Sequence, residues 1–417
     1  MVEEDDYNGG ARMSFTNSAT AGTGTTFSVT GGFGVYATGG RISFSNSSSA
    51  DHATFETFRG DDGQNGAVSF TDNATAGNGT FINNGGESRG KSGGSMTFNG
   101  SATADDGTFT NNGGAASGAG GGYMFFLGGD AGNGFFTNNG GTVSGASGGS
   151  IEFVANLPGP TAADGIFINN AGTVSGAGGG GTFFSGHTAG NATLIANGGP
   201  GKGGFIHFTN APVVGTGRVK VFGNGNLDLS RFGNNPPLTD TIGSIEGNGL
   251  VFLGNNTLAV GSNNLSTVFT GKIQDGGVYG GTGGSLTKIG TGKLVLSHRN
   301  FYSGGTTIQR GRLMVNNIGG SGTGSGPVQV NGGKLGGKGT IDGAVTVGGG
   351  TGFRAVLAPG YLHGADSPGA LTIQSSLTFN SDATYEVQLK SSSAMADEVR
   401  PRCDYQWRRA ICLWRSW

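Results

Sequence analysis

Gly85-Gly86-Glu87-Ser88-Arg89-Gly90-Lys91-Ser92 carries the G-x-x-x-x-G-K-[ST] pattern, whose backbone amides cradle phosphates where a helix begins. No helical pattern follows it, and the corresponding stretches 113–122 and 140–149 lack Lys. Gly145-Ala146-Ser147-Gly148-Gly149 fits the G-x-S-x-G elbow, which needs a strand-to-helix turn, a histidine and an acid. His187 and His207 stand in no triad order around it. Asp61-Asp62, Asp105-Asp106 and Asp164 could bring carboxylates onto one face for Ca²⁺ or for sugar cleavage. The first pair follows Phe58 in a different phase from the second, and no Ca²⁺-binding nonapeptide repeats. His52, His187, His207, His298 and His363 have no metal-ligand spacing. These patterns read as solvated glycine corners, so no catalytic, cofactor-binding or metal residue is assigned and no enzyme is expected.

The elements that would hold such residues are set by phenylalanine. Phe15, Phe44, Phe70, Phe98, Phe126, Phe153, Phe184 and Phe208 recur at separations of 29, 26, 28, 28, 27, 31 and 24 residues. A second apolar mark trails each of the first seven by 10 to 14 residues: Phe27, Phe55, Phe81, Phe109, Phe136, Phe167 and Leu194. Two marks per period of about 27 residues make one repeated coil unit. Each half-unit is a strand of 3 to 5 residues closed by Gly, Asn or Asp, which tolerate left-handed backbone. No stretch offers the i, i+3, i+4, i+7 pattern of a helix.

The expected fold is therefore an all-β parallel solenoid with two internal Phe stacks. The pairs Asn83-Asn84, Asn111-Asn112, Asn138-Asn139 and Asn169-Asn170 should form amide ladders beside them. Roughly eight coils precede residue 223, a rod of about 4 nm at one strand spacing each. Phe44, Phe70, Phe81, Phe98, Phe109, Phe126, Phe136, Phe153 and Phe167 are the expected repeat core.

Gly is 91 of 417 residues, about three times the usual share, and charged residues are 12%. Low charge with 27 regularly spaced Phe argues against disorder. Residues 400–417 hold five Arg against one Asp within a chain of net charge −2, which leaves the body at −6 and a poor partner for nucleic acid. Cys403, Cys412 and all three Trp lie in that same tail. A body free of Cys fits passage through an oxidising compartment. No apolar run is long enough for a membrane helix, and Met1–Asp6 is acidic where a secretory signal would be basic and then apolar.

From about residue 240 the phrase changes. Gly283-Gly284-Ser285-Leu286-Thr287-Lys288-Ile289-Gly290-Thr291-Gly292-Lys293-Leu294-Val295-Leu296 is followed by Asn300-Phe301-Tyr302-Ser303-Gly304-Gly305-Thr306 and Gly311-Arg312-Leu313. This resembles the autotransporter-associated β-strand repeat of bacterial type V secretion passengers. Its motif positions here are Gly284, Leu286, Lys288, Gly290, Gly292, Leu294, Leu296, Asn300, Tyr302, Gly304, Gly305 and Thr306. Stretches around 335–341, 358–360, 367–373 and 385–389 look like the closing coils of such passengers, so the resemblance covers about 240–399.

The resemblance implies a right-handed parallel β-helix displayed outside the cell, continuing into a C-terminal membrane β-barrel that residues 400–417 do not provide. The expected organisation is a disordered acidic start at 1–12, Phe/Asn-Gly coils at 13–239, the passenger repeat and closing coils at 240–399, and a disordered tail at 400–417. Read one base out of frame, that tail back-translates to a Gly-rich, passenger-like string. Two of its glycines, across Trp407-Arg408 and Trp414-Arg415, are forced because Trp has one codon. A basic aromatic tail that binds a membrane surface is the alternative.

The function expected is a non-catalytic, adhesin-like or spacer passenger, here a truncated fragment without signal peptide or barrel. Corners are expected to contact partners, because strand residues are used in stacking. Arg59-Gly60-Asp61, a tripeptide resembling integrin ligands, is the candidate adhesion turn. Expected partners are a host-cell or matrix receptor, or a second copy through open strand edges, with no cofactor and no nucleic acid. The outer membrane would be reached only through the barrel. Two alternatives stay open: a β-helix polysaccharide lyase or hydrolase, marked by an acidic cluster with an Arg on one face, and a non-functional gene fragment.

Overall fold

Every main sheet of the computed structural model is built from short parallel strands that pair one coil with the next. The described residues are 9–34, 37–60, 64–154, 159–185, 188–209, 213–233, 236–350, 352, 354–360, 369–390 and 395–401. Among them there is no α-helix. The fold is a parallel β-helix.

Sheet I has eleven strands, from Arg12–Phe15 to Lys272–Gln274, and sheet II has fifteen, from Thr23–Val29 to Ala383–Tyr385. Strand alternation sends one residue set inward, as the buried/half-buried pattern of Ser95–Phe98 and Thr80–Asn83 shows. Register is residue on residue: Phe70 stands on Phe44, and Phe98 on Phe70. The inward rings of sheet I from Phe44 to Phe184 stack at 4.7–5.0 Å between centroids. Those of sheet II from Phe27 to Phe167 stack at 4.5–5.0 Å. The two columns meet edge to face, Phe98 against Phe109 at 5.8 Å and 79°. Edge-to-face contact between columns and offset stacking within them both suit the ring quadrupole.

A third side closes each early coil with a single bridging residue. Thr20, Ser49, Thr75, Thr103, Asp130, Thr161 and Thr188 pair in one parallel column. Their side chains explain the residue types: Ser49 Oγ accepts the Asp51 N–H at 3.0 Å, and Thr103 Oγ1 accepts that of Asp105 at 3.0 Å. The acceptor holds the residue two places on in left-handed backbone, at φ 54° for Asp51 and 50° for Asp105. From Thr239–Ile242 onward the third side broadens into sheet III, seven strands ending at Leu377–Phe379. Sheet I ends at Lys272–Gln274, and three strands, Thr340–Ile341, Ala370–Ile373 and Glu398–Pro401, take its place in the later coil order.

Two amide ladders run beside the rings with opposite polarity. Asn83 Nδ2 donates to Asn111 Oδ1 at 2.7 Å, Asn111 to Asn138 at 2.8 Å and Asn138 to Asn169 at 2.8 Å, all buried. Each donor group also reaches a backbone carbonyl, Tyr123 O from Asn83 and Ser150 O from Asn111, which fixes which side-chain atom is nitrogen. In the neighbouring ladder the direction reverses: Asn112 donates back to Asn84 at 3.2 Å, and Asn139 back to Asn112 at 3.0 Å. A buried amide without partners would cost about 1–3 kcal/mol, so the ladders keep this polar seam compatible with the core.

The change from bridge column to sheet III is held by a buried ion pair. Arg231 Nη2 donates to Asp240 Oδ1 at 2.7 Å, with both side chains at most 2% exposed. The same oxygen accepts the Val213 N–H at 2.8 Å. Burial pushes the Asp240 carboxyl up, while Arg231 and the Val213 amide pull it back down.

Candidate functional site

The passenger-like motif builds one coil and the start of the next, where Thr306 stands on Leu286. Leu286, Leu294 and Leu296 are core residues. Asn300 Oδ1 accepts the Ile273 N–H at 2.8 Å and its Nδ2 donates to Gly322 O at 2.6 Å, which ties three coils together. The buried Tyr302 hydroxyl meets Thr306 Oγ1 at 2.6 Å, and burial drives its pKa well above the ordinary phenol value. Gly304 N–H bonds Gly284 O at 2.8 Å, and Gly305 turns at φ 99°. Gly292 sits where a Cβ would strike the Leu265 carbonyl.

Lys288 stands in the inward column between Val260 and Ile308, yet it is a cation. Its ammonium bends to the corner and donates to the carbonyls of Ile289 and Gly290. Burial lowers its pKa from 10.5 to about 8. Between those values the unfolded chain holds a proton that the folded chain has released, so stability rises with pH across that window and is flat below it. Urea unfolding between pH 8 and 10 should show a gain of about 1–2 kcal/mol, allowing for screening by water at the corner. The Lys288→Met variant should lose that slope; an unchanged slope would assign it to another group.

The other sequence-singled residues are placed as follows. Arg59 Nε donates to Gly60 O at 2.8 Å and Nη1 to Asn65 Oδ1 at 3.3 Å, so the guanidinium is folded onto its own loop. Asp61 lies outside the described residues, as do Asp62, His187 and His363. The Gly85–Ser92 corner leads into the strand Ser95–Phe98. Asp105 accepts from Thr75 Oγ1 at 3.0 Å, Asp106 from Asn133 at 3.1 Å and Asp164 from Asn191 at 3.0 Å, each bond joining adjacent coils. Among the described residues no group of three or more His, Cys, Asp or Glu could hold a metal.

A surface rich in aromatic side chains lies on outward strand positions of sheet I. In the early coils one outward row is small and polar, Ser43, Ser69 and Thr97, beside a second row of Arg12, Arg41 and Ala67. The first row continues as Phe125, Glu152, Phe183 and His207. Beside it, Tyr123 packs on Phe125 at 5.5 Å between ring centroids, and Phe205 on Phe183 at 5.1 Å. Gly181 leaves room for the Phe205 ring, which a Cβ there would strike. Glu152 is half-buried in this row, and desolvation pushes its carboxyl up.

A glycine-rich strap closes the far end. Gly276, Gly277, Gly280, Gly281 and Gly283 all have positive φ. Between them the chain crosses back over two coils: Val278 N–H bonds Asp228 Oδ2 at 2.8 Å and Tyr279 N–H bonds Ser230 Oγ at 3.0 Å. Tyr279 lies against His207 at 5.6 Å, and the His207 Nε2 is 3.0 Å from Ser230 O. Asp228 and Ser230 are thus buried under the backbone of the strap, and His207 under the Tyr279 ring. Sequence reading missed the row and the strap; the replacement of Ser and Thr by Tyr123, Phe125, Phe183 and Phe205 at outward positions was the available signal.

With the coil geometry established, the chain can be set beside known proteins. Residues 286–315 match the family described as the passenger-associated-transport-repeat. That transport repeat spans the coil held by Asn300, Tyr302 and Thr306, so the autotransporter resemblance of the sequence is shown for this segment. No curated protein matches the chain. A solved structure, a TibC-catalysed hyper-glycosylated TibA55-350 fragment, is similar at 14% identity with a TM-score of 0.30, covering 95% of this chain and 97% of that one. At that TM-score no residue of the transport repeat or of the aromatic row takes its role from that structure.

Proposed function

We propose that the chain is the non-catalytic passenger rod of an autotransporter, carried outside the bacterial cell and serving there as an adhesin-like surface. The observation that carries this reading is the transport repeat at 286–315, built as an integral coil of the rod. Continuous stacking supports a mechanical role: each coil pairs its strands with the next, and length is added without a larger core. The acids at Asp105, Asp106 and Asp164 are engaged in inter-coil hydrogen bonds, which favours a structural use over sugar cleavage. Outward side chains on sheet I, together with corners, are the surface open to a host-cell or matrix partner.

Antibodies against the purified chain, applied to intact and permeabilised cells that express its gene, test the reading. Labelling of intact cells, lost after external protease, is the expected result. Labelling restricted to permeabilised cells would overturn it.

A further inference from the structure

The outward row of sheet I has a charge pattern as well as a shape. Across the outward positions from Ala67 to His207, Glu152 is the one carboxylate, and there is no Lys or Arg. Tyr123 and Phe125 precede it by one strand, Phe183 follows by one and Phe205 by two. The strap with Tyr279 ends the row at His207. The stretch from the strand Tyr123–Phe126 to the strand Phe205–Phe208 is three strand steps, about 14 Å.

We propose that this row binds an extended glycan bearing free amino groups, with sugar rings lying on Phe125, Phe183 and Phe205 and an ammonium paired with Glu152. This names a partner class for the adhesin-like reading above and rests on it. Charge complementarity selects the occupant: an isolated carboxylate between aromatic neighbours favours a cation, which both the carboxylate and the ring faces attract. A second copy docking by this same face would bring Glu152 towards Glu152 with no cation between them. A polyanion would find no base along the row. The pyranose ring adds an apolar face to lie flat on phenylalanine and hydroxyls for the Tyr123 hydroxyl, which already accepts from Asn65 Nδ2 at 3.1 Å.

Calorimetric titration of the purified full chain with a glucosamine tetramer, its fully N-acetylated counterpart and tetralysine tests the proposal. The glucosamine tetramer should bind, and the other two about tenfold more weakly or worse. Glu152→Gln and Phe183→Ala should each lower its affinity by about tenfold while melting as the parent does. Equal binding of the acetylated tetramer, equal binding of tetralysine, no binding of the glucosamine tetramer, or unchanged affinity in both variants would each overturn it. Cell-surface labelling reads the display role separately, so labelled intact cells with no glycan binding would sink this inference alone.

Discussion

Phe126→Ala should destabilise the rod by about 3–5 kcal/mol, while Phe125→Ala one residue earlier should cost under about 1 kcal/mol. Phe126 is fully buried, stacked on Phe98 at 5.0 Å and Phe153 at 4.7 Å, with Phe136 at its edge at 5.9 Å. Removing its ring leaves a cavity that the stacked coils cannot close without losing register. Phe125 points the other way, into the half-exposed outer row. Since the strands of each coil pair only with those of adjacent coils, the loss should be local. Amide exchange in Ser95–Phe98, Tyr123–Phe126 and Ser150–Phe153 should accelerate by about two to three and a half orders of magnitude, at about 1.4 kcal/mol per tenfold. Uniform acceleration along the whole chain, or equal costs for both variants, would contradict a column of independent inward rings.

Asp240→Ala should cost a similar amount, about 3–5 kcal/mol, because it strands the Arg231 guanidinium at 2% exposure without its carboxylate. The Val213 amide loses its acceptor in the same step. The double variant Arg231→Met with Asp240→Leu should recover most of that loss, since a buried pair gains little over apolar residues of similar volume. Urea denaturation of the single and double variants checks both statements. A single variant within about 1 kcal/mol of the parent would show that the pair does not hold the join between the bridge column and sheet III.

Coil length was legible in the sequence because an inward ring in one coil stands on the ring of the next, so packing is written as a period. The Asn pairs followed the same logic, each amide finding its like one coil away. The bridging column was not legible, because its residues vary among Thr, Ser and Asp and share only an oxygen that caps the next corner. Contacts that skip coils were hidden for a further reason. Val278 and Asp228 are 50 residues apart, and no repeat links a glycine strap to an outer carboxylate. Lys288 was visible as a motif residue, but its inward placement depends on nearby carbonyls that sequence does not display. The outer aromatic row was written in the alternation of strands such as Tyr123–Phe126, where both faces are aromatic.

The parallel stacking of one strand per coil can be measured as a ruler. Thr80, Thr193 and Lys293 lie on the third, seventh and eleventh strands of sheet II. With Cys403 and Cys412 replaced by Ser, nitroxide labels at Thr80→Cys and Thr193→Cys should lie about 19 Å apart, four strand steps. Labels at Thr80→Cys and Lys293→Cys should lie about 38 Å apart, eight steps. Pulsed electron-electron resonance distances in that two-to-one ratio are the result this structure predicts. Two similar distances, or a second one shorter than the first, would contradict the β-helix.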